Sequence, residues 1–247
     1  FVEAVRRPCE GVGVRVALEA PLGVLVDAEP RAAARKAAAT LADLGHRVVE
    51  QAPDWDDEDF AADWSLVATG ALQHIVAVVQ RLHGRPLDPN LLEPATREWV
   101  VESPPVGLVE LLEAHERLGA FSRRVLASWP PDAVLLTPTL TRLPALAGAV
   151  AARAGVTDDA VRFSAFVRIW NVTGQPAISL PVHETADGVP VGIQLIAAAG
   201  REDLLLSVAA QLEEAVGWRP RHSSQYATRS GRKTTPRPRS STLPLRG

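Results

Sequence analysis

Apolar and polar positions change period several times along this chain, and each change predicts an element. The run VRVAL (14–18) reads as a short strand. Pro21 and Gly23 break the chain, and an Ala-rich helix is expected over 27–44. Asp27 stands where a cap belongs, and Pro30 fits a first turn because its missing N–H has no helical partner there. Leu41 and Leu44 mark the buried side, Gly45 ends the helix, and HRVVEQ (46–51) is a second strand. Strand, helix and strand in that order predict a βαβ unit with parallel strands. An acidic loop over 53–60, containing Trp55, reads as a solvated connection, and 61–82 as a buried helix closed by Gly84. Pro86, Pro89 and Pro94 punctuate a loop and a short helix around 97–101. A long amphipathic helix then spans 106–129, with Leu108, Leu111, Leu112, His115, Leu118 and Val125 in register.

The last third is the most strongly patterned. AVLLTPTL (133–140) is a buried strand ending in Thr137-Pro138-Thr139. Phe163, Phe166, Val167 and Trp170 recur at helical spacing on a helix entering from Thr157-Asp158, and Asn171 and Gly174 stop it. AISLPV (177–182) and VPVGIQLI (189–196) are strands joined through Asp187-Gly188, which predicts a hairpin. Leu205, Val208, Leu212 and Val216 form the stripe of a final helix ended by Gly217. The expected class is α/β, with a mixed, mostly parallel sheet covered by helices.

Composition changes this picture at the ends. With 47% hydrophobic and 22% charged residues the body is ordinary globular protein. From Arg219 onward every charged residue is basic (seven Arg and Lys233) although the whole chain carries −3, so the body is acidic. Residues 1–218 are expected to fold and 219–247 to form a basic, disordered tail, because its Pro, Ser, Thr and Arg bury too little to offset ordering entropy. The tail has neither interleaved aromatics nor a folded basic face, so a nucleic-acid partner is not expected. The single cysteine, Cys9, excludes a disulfide framework and fits a reducing compartment. The longest apolar run, Leu66–Val79, is interrupted by Thr69, Gly70, Gln73 and His74, so no membrane association is expected and the cytoplasm is the expected location. The chain starts at Phe1 in mid-pattern and has no methionine, which reads as the latter part of a longer protein.

Four stretches carry a resemblance to a known family. N-V-T-G-Q-P-A-I-S-L-P (171–181), then D-G-V-P-V-G-I-Q-L-I (187–196) and a Leu-rich helix, resemble the C-terminal part of amidase signature enzymes, and T-P-T (137–139) resembles the strand end at their active-site mouth. The resemblance runs from about Val12 to Trp218, patchily in the middle. It implies an α/β fold and hydrolysis of non-peptide or small amide C–N bonds through a Ser–Ser–Lys triad, with no metal or cofactor.

The family's Gly/Ser-rich nucleophile loop is absent from this sequence. The only lysines are Lys36, on a helix with no such loop after it, and Lys233 in the tail. Ser223-Ser224 and Ser240-Ser241 lack flanking glycines. No catalytic residue is therefore assigned, and the chain alone is expected to be inactive. The resemblance carries Asn171, Thr173, Gly174 and Gln175 onto the turn beneath the catalytic loop, where a helix cap and tight turn explain them equally well. Thr137 and Thr139 are the expected pocket lining, because they end a buried strand. Trp170 and Gln194 are expected as structural support. The histidines lack metal-ligand spacing, and no nucleophile elbow or phosphate loop occurs. The expected partner is a small-molecule amide, with a homodimer compatible with the sequence. A non-catalytic binding or assembly module, and an amidotransferase-type subunit fragment, remain open beside the hydrolase reading.

Overall fold

A computed structural model describes residues 1–146 and 158–218. The elements run α1 (Val2–Arg6), β1 (Gly13–Val16), α2 (Ala28–Asp43), β2 (Arg47–Glu50), α3 (Phe60–His83), α4 (Pro94–Arg97), α5 (Leu108–Ala127), β3 (Ala133–Pro138), α6 (Asp158–Phe163), α7 (Arg168–Thr173), β4 (Ala177–Glu184), β5 (Pro190–Ala197) and α8 (Glu202–Val216). The strands form a sheet of order β2-β1-β3-β5-β4. β1 pairs in parallel with β2 and β3, while β5 runs antiparallel between β3 and β4. Four strands thus point one way and β5 opposes them, as the expected mixed, mostly parallel sheet requires. Residues Phe1–Val216 make one compact unit; the other, Gly217–Gly247, lies almost wholly outside the described residues, and so does the expected tail.

The strand pattern decides which residues meet which helices. Val14, Val16, Val134, Leu136, Ile193 and Leu195 face α2 and α8, whose Ala33, Ala37, Leu41, Val208 and Leu212 complete an aliphatic core. The alanines of α2 let that helix lie close to the sheet. On the opposite face Leu135 and Ile196 meet an aromatic core of Trp55, Phe121, Trp129, Phe166 and Trp170. Trp129 packs edge-on to Trp170 at 5.9 Å, and Trp55 to Phe166 at 6.0 Å.

Several elements depart from the expected pattern. The 53–60 segment is not a solvated connection: Trp55 is buried, and Arg124 reaches Asp54 at 3.7 Å and Asp57 at 3.1 Å. One apolar ring outweighs the acids around it. The Asp56 carboxylate also accepts from the amide of Leu22 at 2.7 Å, which holds Leu22 at φ 56°, a left-handed backbone uncommon for a branched residue.

The expected helix over 157–171 is two helices, α6 and α7, separated by a turn. Thr141 explains the break, because its amide and hydroxyl donate to the carbonyls of Arg162 and Phe163 and take them from the helical ladder. The left-handed Gly174 (φ 72°) ends α7, and its amide donates to the Trp170 carbonyl.

The middle helices depart most. α3 is not a buried helix: only Asp63 along it is buried. It leans on α5 through the bidentate Asp63–Arg117 pair, at 2.6 and 2.8 Å, and on the segment before α5 through Gln73, which donates to the Pro104 carbonyl at 3.0 Å. By length and composition alone α3 is apolar enough to cross a membrane, the interruptions at Thr69, Gly70, Gln73 and His74 notwithstanding. The face α5 buries is Ala114, Leu118, Phe121 and Val125, whereas Leu108 (70% exposed), Leu112 (55%) and His115 point outward. Leu118 and Val125 are thus buried as expected, and Ala114 and Phe121 complete the side turned to the sheet.

Candidate substrate-facing site

The site residues gather where β3 ends and β4 begins, on the aromatic face of the sheet. Register places Thr137 opposite Gln194 and Gln194 opposite Ser179, so three polar side chains form one row across β3, β5 and β4. Thr137 is wholly buried and its hydroxyl donates to the Pro138 carbonyl at 2.7 Å. Gln194 is also buried. Its Nε2 donates to the Phe166 carbonyl at 3.2 Å and to the Thr137 hydroxyl at 3.4 Å. A lone amide in an apolar strand thereby fastens the α6–α7 turn to the middle of the sheet.

One row further along, the Thr139 amide donates to the Gly192 carbonyl, and the Thr139 and Ser179 hydroxyls are 2.8 Å apart. A Cβ on Gly192 would sit 3.1 Å from both hydroxyl oxygens, so glycine there keeps the pair seated. Of the two expected lining threonines, Thr139 is half-buried with its hydroxyl near the surface, whereas Thr137 is sealed beneath.

The turn after α7 supplies the remaining residues. Gln175 is buried and its Nε2 donates to the Ala197 carbonyl at 3.1 Å, while the Ala197 amide donates to the Pro176 carbonyl. Trp170 and Thr173 are buried beside it; Asn171 and Gly174 are exposed. Three buried polar atoms here have no hydrogen-bond partner: Trp170 Nε1, Thr173 Oγ1 and Gln175 Oε1. Such groups are rare in folded proteins because each has given up its water. The structure therefore brings Thr137 and Gln194 into one polar row, with Thr139 one row further along beside the Ser179 hydroxyl, and Trp170, Thr173 and Gln175 into a buried cluster, leaving Asn171 and Gly174 exposed.

Some neighbours escaped the sequence reading. Ser179 looked like any outward strand position, and Gly192 carried the one usable signal, an isolated glycine inside a strand. Arg168 is buried with its guanidinium 4.6 Å from the Trp64 ring centroid, and burial lowers its pKa. With Leu22, Trp55, Phe60 and Ile169 it lines a cavity of about 60 Å³. Of the two lysines, Lys36 is exposed on α2 and Lys233 lies outside the described residues, as do both Ser-Ser pairs. Among the described residues no group of three His, Cys, Asp or Glu side chains could hold a metal ion.

The chain as a whole is similar to several known proteins. The 6-aminohexanoate-cyclic-dimer hydrolase of Paenarthrobacter ureafaciens is 38% identical over 205 residues, covering 78% of this chain and 41% of that protein. The putative amidase AmiC of Mycobacterium tuberculosis (strain ATCC 25618 / H37Rv) is 36% identical over 212 residues, covering 83% and 44%. A solved structure of a 6-aminohexanoate cyclic dimer hydrolase complexed with substrate superposes with a TM-score of 0.76 at 34% identity, over 87% of this chain and 47% of that one. A bacterial aryl acylamidase of the amidase signature family shares the fold with a TM-score of 0.73 at 19% identity. The chain thus spans rather less than half the length of the relatives it matches. The Amidase family model matches residues 4–206, so the chain belongs to the amidase signature family.

Proposed function

We propose that this chain forms the C-terminal, substrate-facing part of an amide hydrolase that cleaves non-peptide or small amide C–N bonds. An amide carbonyl is deactivated by resonance, so its attack needs an activated nucleophile, a proton shuttle and a polarised oxyanion site. In this reading a serine outside the 247 residues forms the acyl-enzyme. Thr139, Asn171, Thr173, Gly174 and Gln175 border the substrate or the loop above it, and Thr137, Trp170 and Gln194 hold them in place. The observation that carries the proposal is the similarity to amide hydrolases across the stretch holding this polar row, together with the surface position of Lys36, far from the chemistry of a buried base. The chain alone is then inactive, works without a cofactor and acts in the cytoplasm.

The test is an assay of cyclic and linear 6-aminohexanoate amides, since the relative's name says it hydrolyses the cyclic dimer. Purified chain should give no turnover. A protein in which the unmatched part of the Paenarthrobacter hydrolase precedes Phe1 should hydrolyse the substrate. Turnover by the isolated chain would place a nucleophile within it and overturn the assignment.

A further inference from the structure

One buried cation stands on the aromatic side of the sheet. Arg168 opens α7 and is only 7% exposed, with its guanidinium stacked over Trp64. A buried cation has given up hydration, and here that loss lowers its pKa. The side chain lines a cavity of about 60 Å³, whose other walls include Leu22, Val24, Trp55, Phe60 and Ile169. At roughly 10–15 Å³ for each water, such a volume holds about four waters or one small polar group. Asp57, the acid on the same wall, is already engaged: its oxygens accept from Arg124 and from the Asp59 amide, each at 3.1 Å. Trp55 links the cavity to the candidate site. Its ring centroid is 6.0 Å from that of Phe166, the residue whose carbonyl takes the Gln194 amide.

We infer that this cavity is a subsite for the carboxylate of an aliphatic acid, so that the preferred amides carry a negative end on a short methylene chain. The inference rests on the reading of the chain as part of an amide hydrolase. The two kinds of wall suit the two parts of such a ligand. Leu22, Val24, Phe60 and Ile169 accept methylene groups, and a guanidinium fork matches both oxygens of a carboxylate. A neutral chain end would fill the same space without offering the fork a charge. Arg168 thus sets specificity and takes no part in breaking the C–N bond.

Titration calorimetry with hexanoate and hexanamide, equal in length and different in charge, tests the inference. It is run on the full 247-residue chain and on that chain fused behind the unmatched part of the Paenarthrobacter hydrolase. Hexanoate should bind at least tenfold more tightly than hexanamide. Arg168→Gln should erase the difference, Arg168→Lys should keep part of it, and Lys36→Gln on the other side of the sheet should leave it intact. Should Arg168→Gln fail to fold, Ala61→Phe fills the cavity with Arg168 in place and should abolish hexanoate binding. Equal affinities, no binding in either format, or a preference that survives Arg168→Gln or Ala61→Phe would overturn the inference. The fused protein separates this result from the function. If it hydrolyses pentanamide as fast as adipamate, and N-pentylacetamide as fast as 6-acetamidohexanoate, the subsite falls and the hydrolase reading stands. Hexanoate binding that depends on Arg168, with no hydrolysis of any amide, does the reverse.

Discussion

The two faces of the sheet obey different rules. Under α2 and α8 the hydrophobic core is aliphatic, with His46 and Ser207 buried beside it. Under α5 and α7 the same strands present Thr137 and Gln194 among tryptophans and phenylalanines, with three polar atoms unpartnered beside them. An aliphatic layer needs only volume and pattern, so many sequences would satisfy it. The aromatic layer needs particular atoms in particular directions. The first face is set by volume, the second by the direction of polar atoms.

The largest effect should come from the scaffold. Leu212→Ala, wholly buried beneath the sheet, should cost about 2–5 kcal/mol in a urea titration while leaving the Gln194 hydrogen bonds intact. If it disturbed the polar row, the two faces would not be independent. Gln194→Ala should cost less, about 1–3 kcal/mol, because it strips a donor from the buried Phe166 carbonyl, and proteolysis should then reach the α6–α7 turn first. Thr173→Val should have the opposite sign. It removes an unpartnered hydroxyl at nearly constant shape and should raise the melting temperature of this chain by a few degrees. A fall would mean that the hydroxyl has found a partner.

The smallest effect belongs to pH on the aliphatic side. His46 is buried, and burial lowers its pKa from 6.5, the Gln211 side chain opposing the shift. The folded state therefore binds the proton less readily than the unfolded one. The resulting stability is fully present above pH 6.5 and declines as pH falls through the lower folded value. Melting curves at successive pH values should show a slope below pH 6.5 that His46→Leu flattens.

What could be read from sequence follows the same division. The βαβ unit, the hairpin at Asp187-Gly188 and the final helix were legible because each declares itself through local periodicity and a terminating glycine. α3 and Trp55 were not. Their apolar residues meet partners chosen by tertiary arrangement, so α3 looked like a core helix yet lies on the surface, and a ring in an acidic loop lies in the core. The break between α6 and α7 was hidden for another reason. Its cause, Thr141, lies more than twenty residues away, and no window along the helix contains it. Within the site, Thr137, Thr139 and Gln194 drew attention as polar residues in apolar strands, while Ser179 acquires meaning only from its neighbour across the sheet.

Leu22 shows what the loop at 53–60 is for. Holding a branched residue in a left-handed conformation costs about 1–2 kcal/mol, and the Asp56 carboxylate helps keep it there. In evolutionary terms the pair is a ratchet. A glycine at position 22 would relieve the backbone and leave Asp56 free to drift, and once Asp56 had drifted a return to leucine would be penalised. The order of those two substitutions in any lineage is thus constrained by a single hydrogen bond.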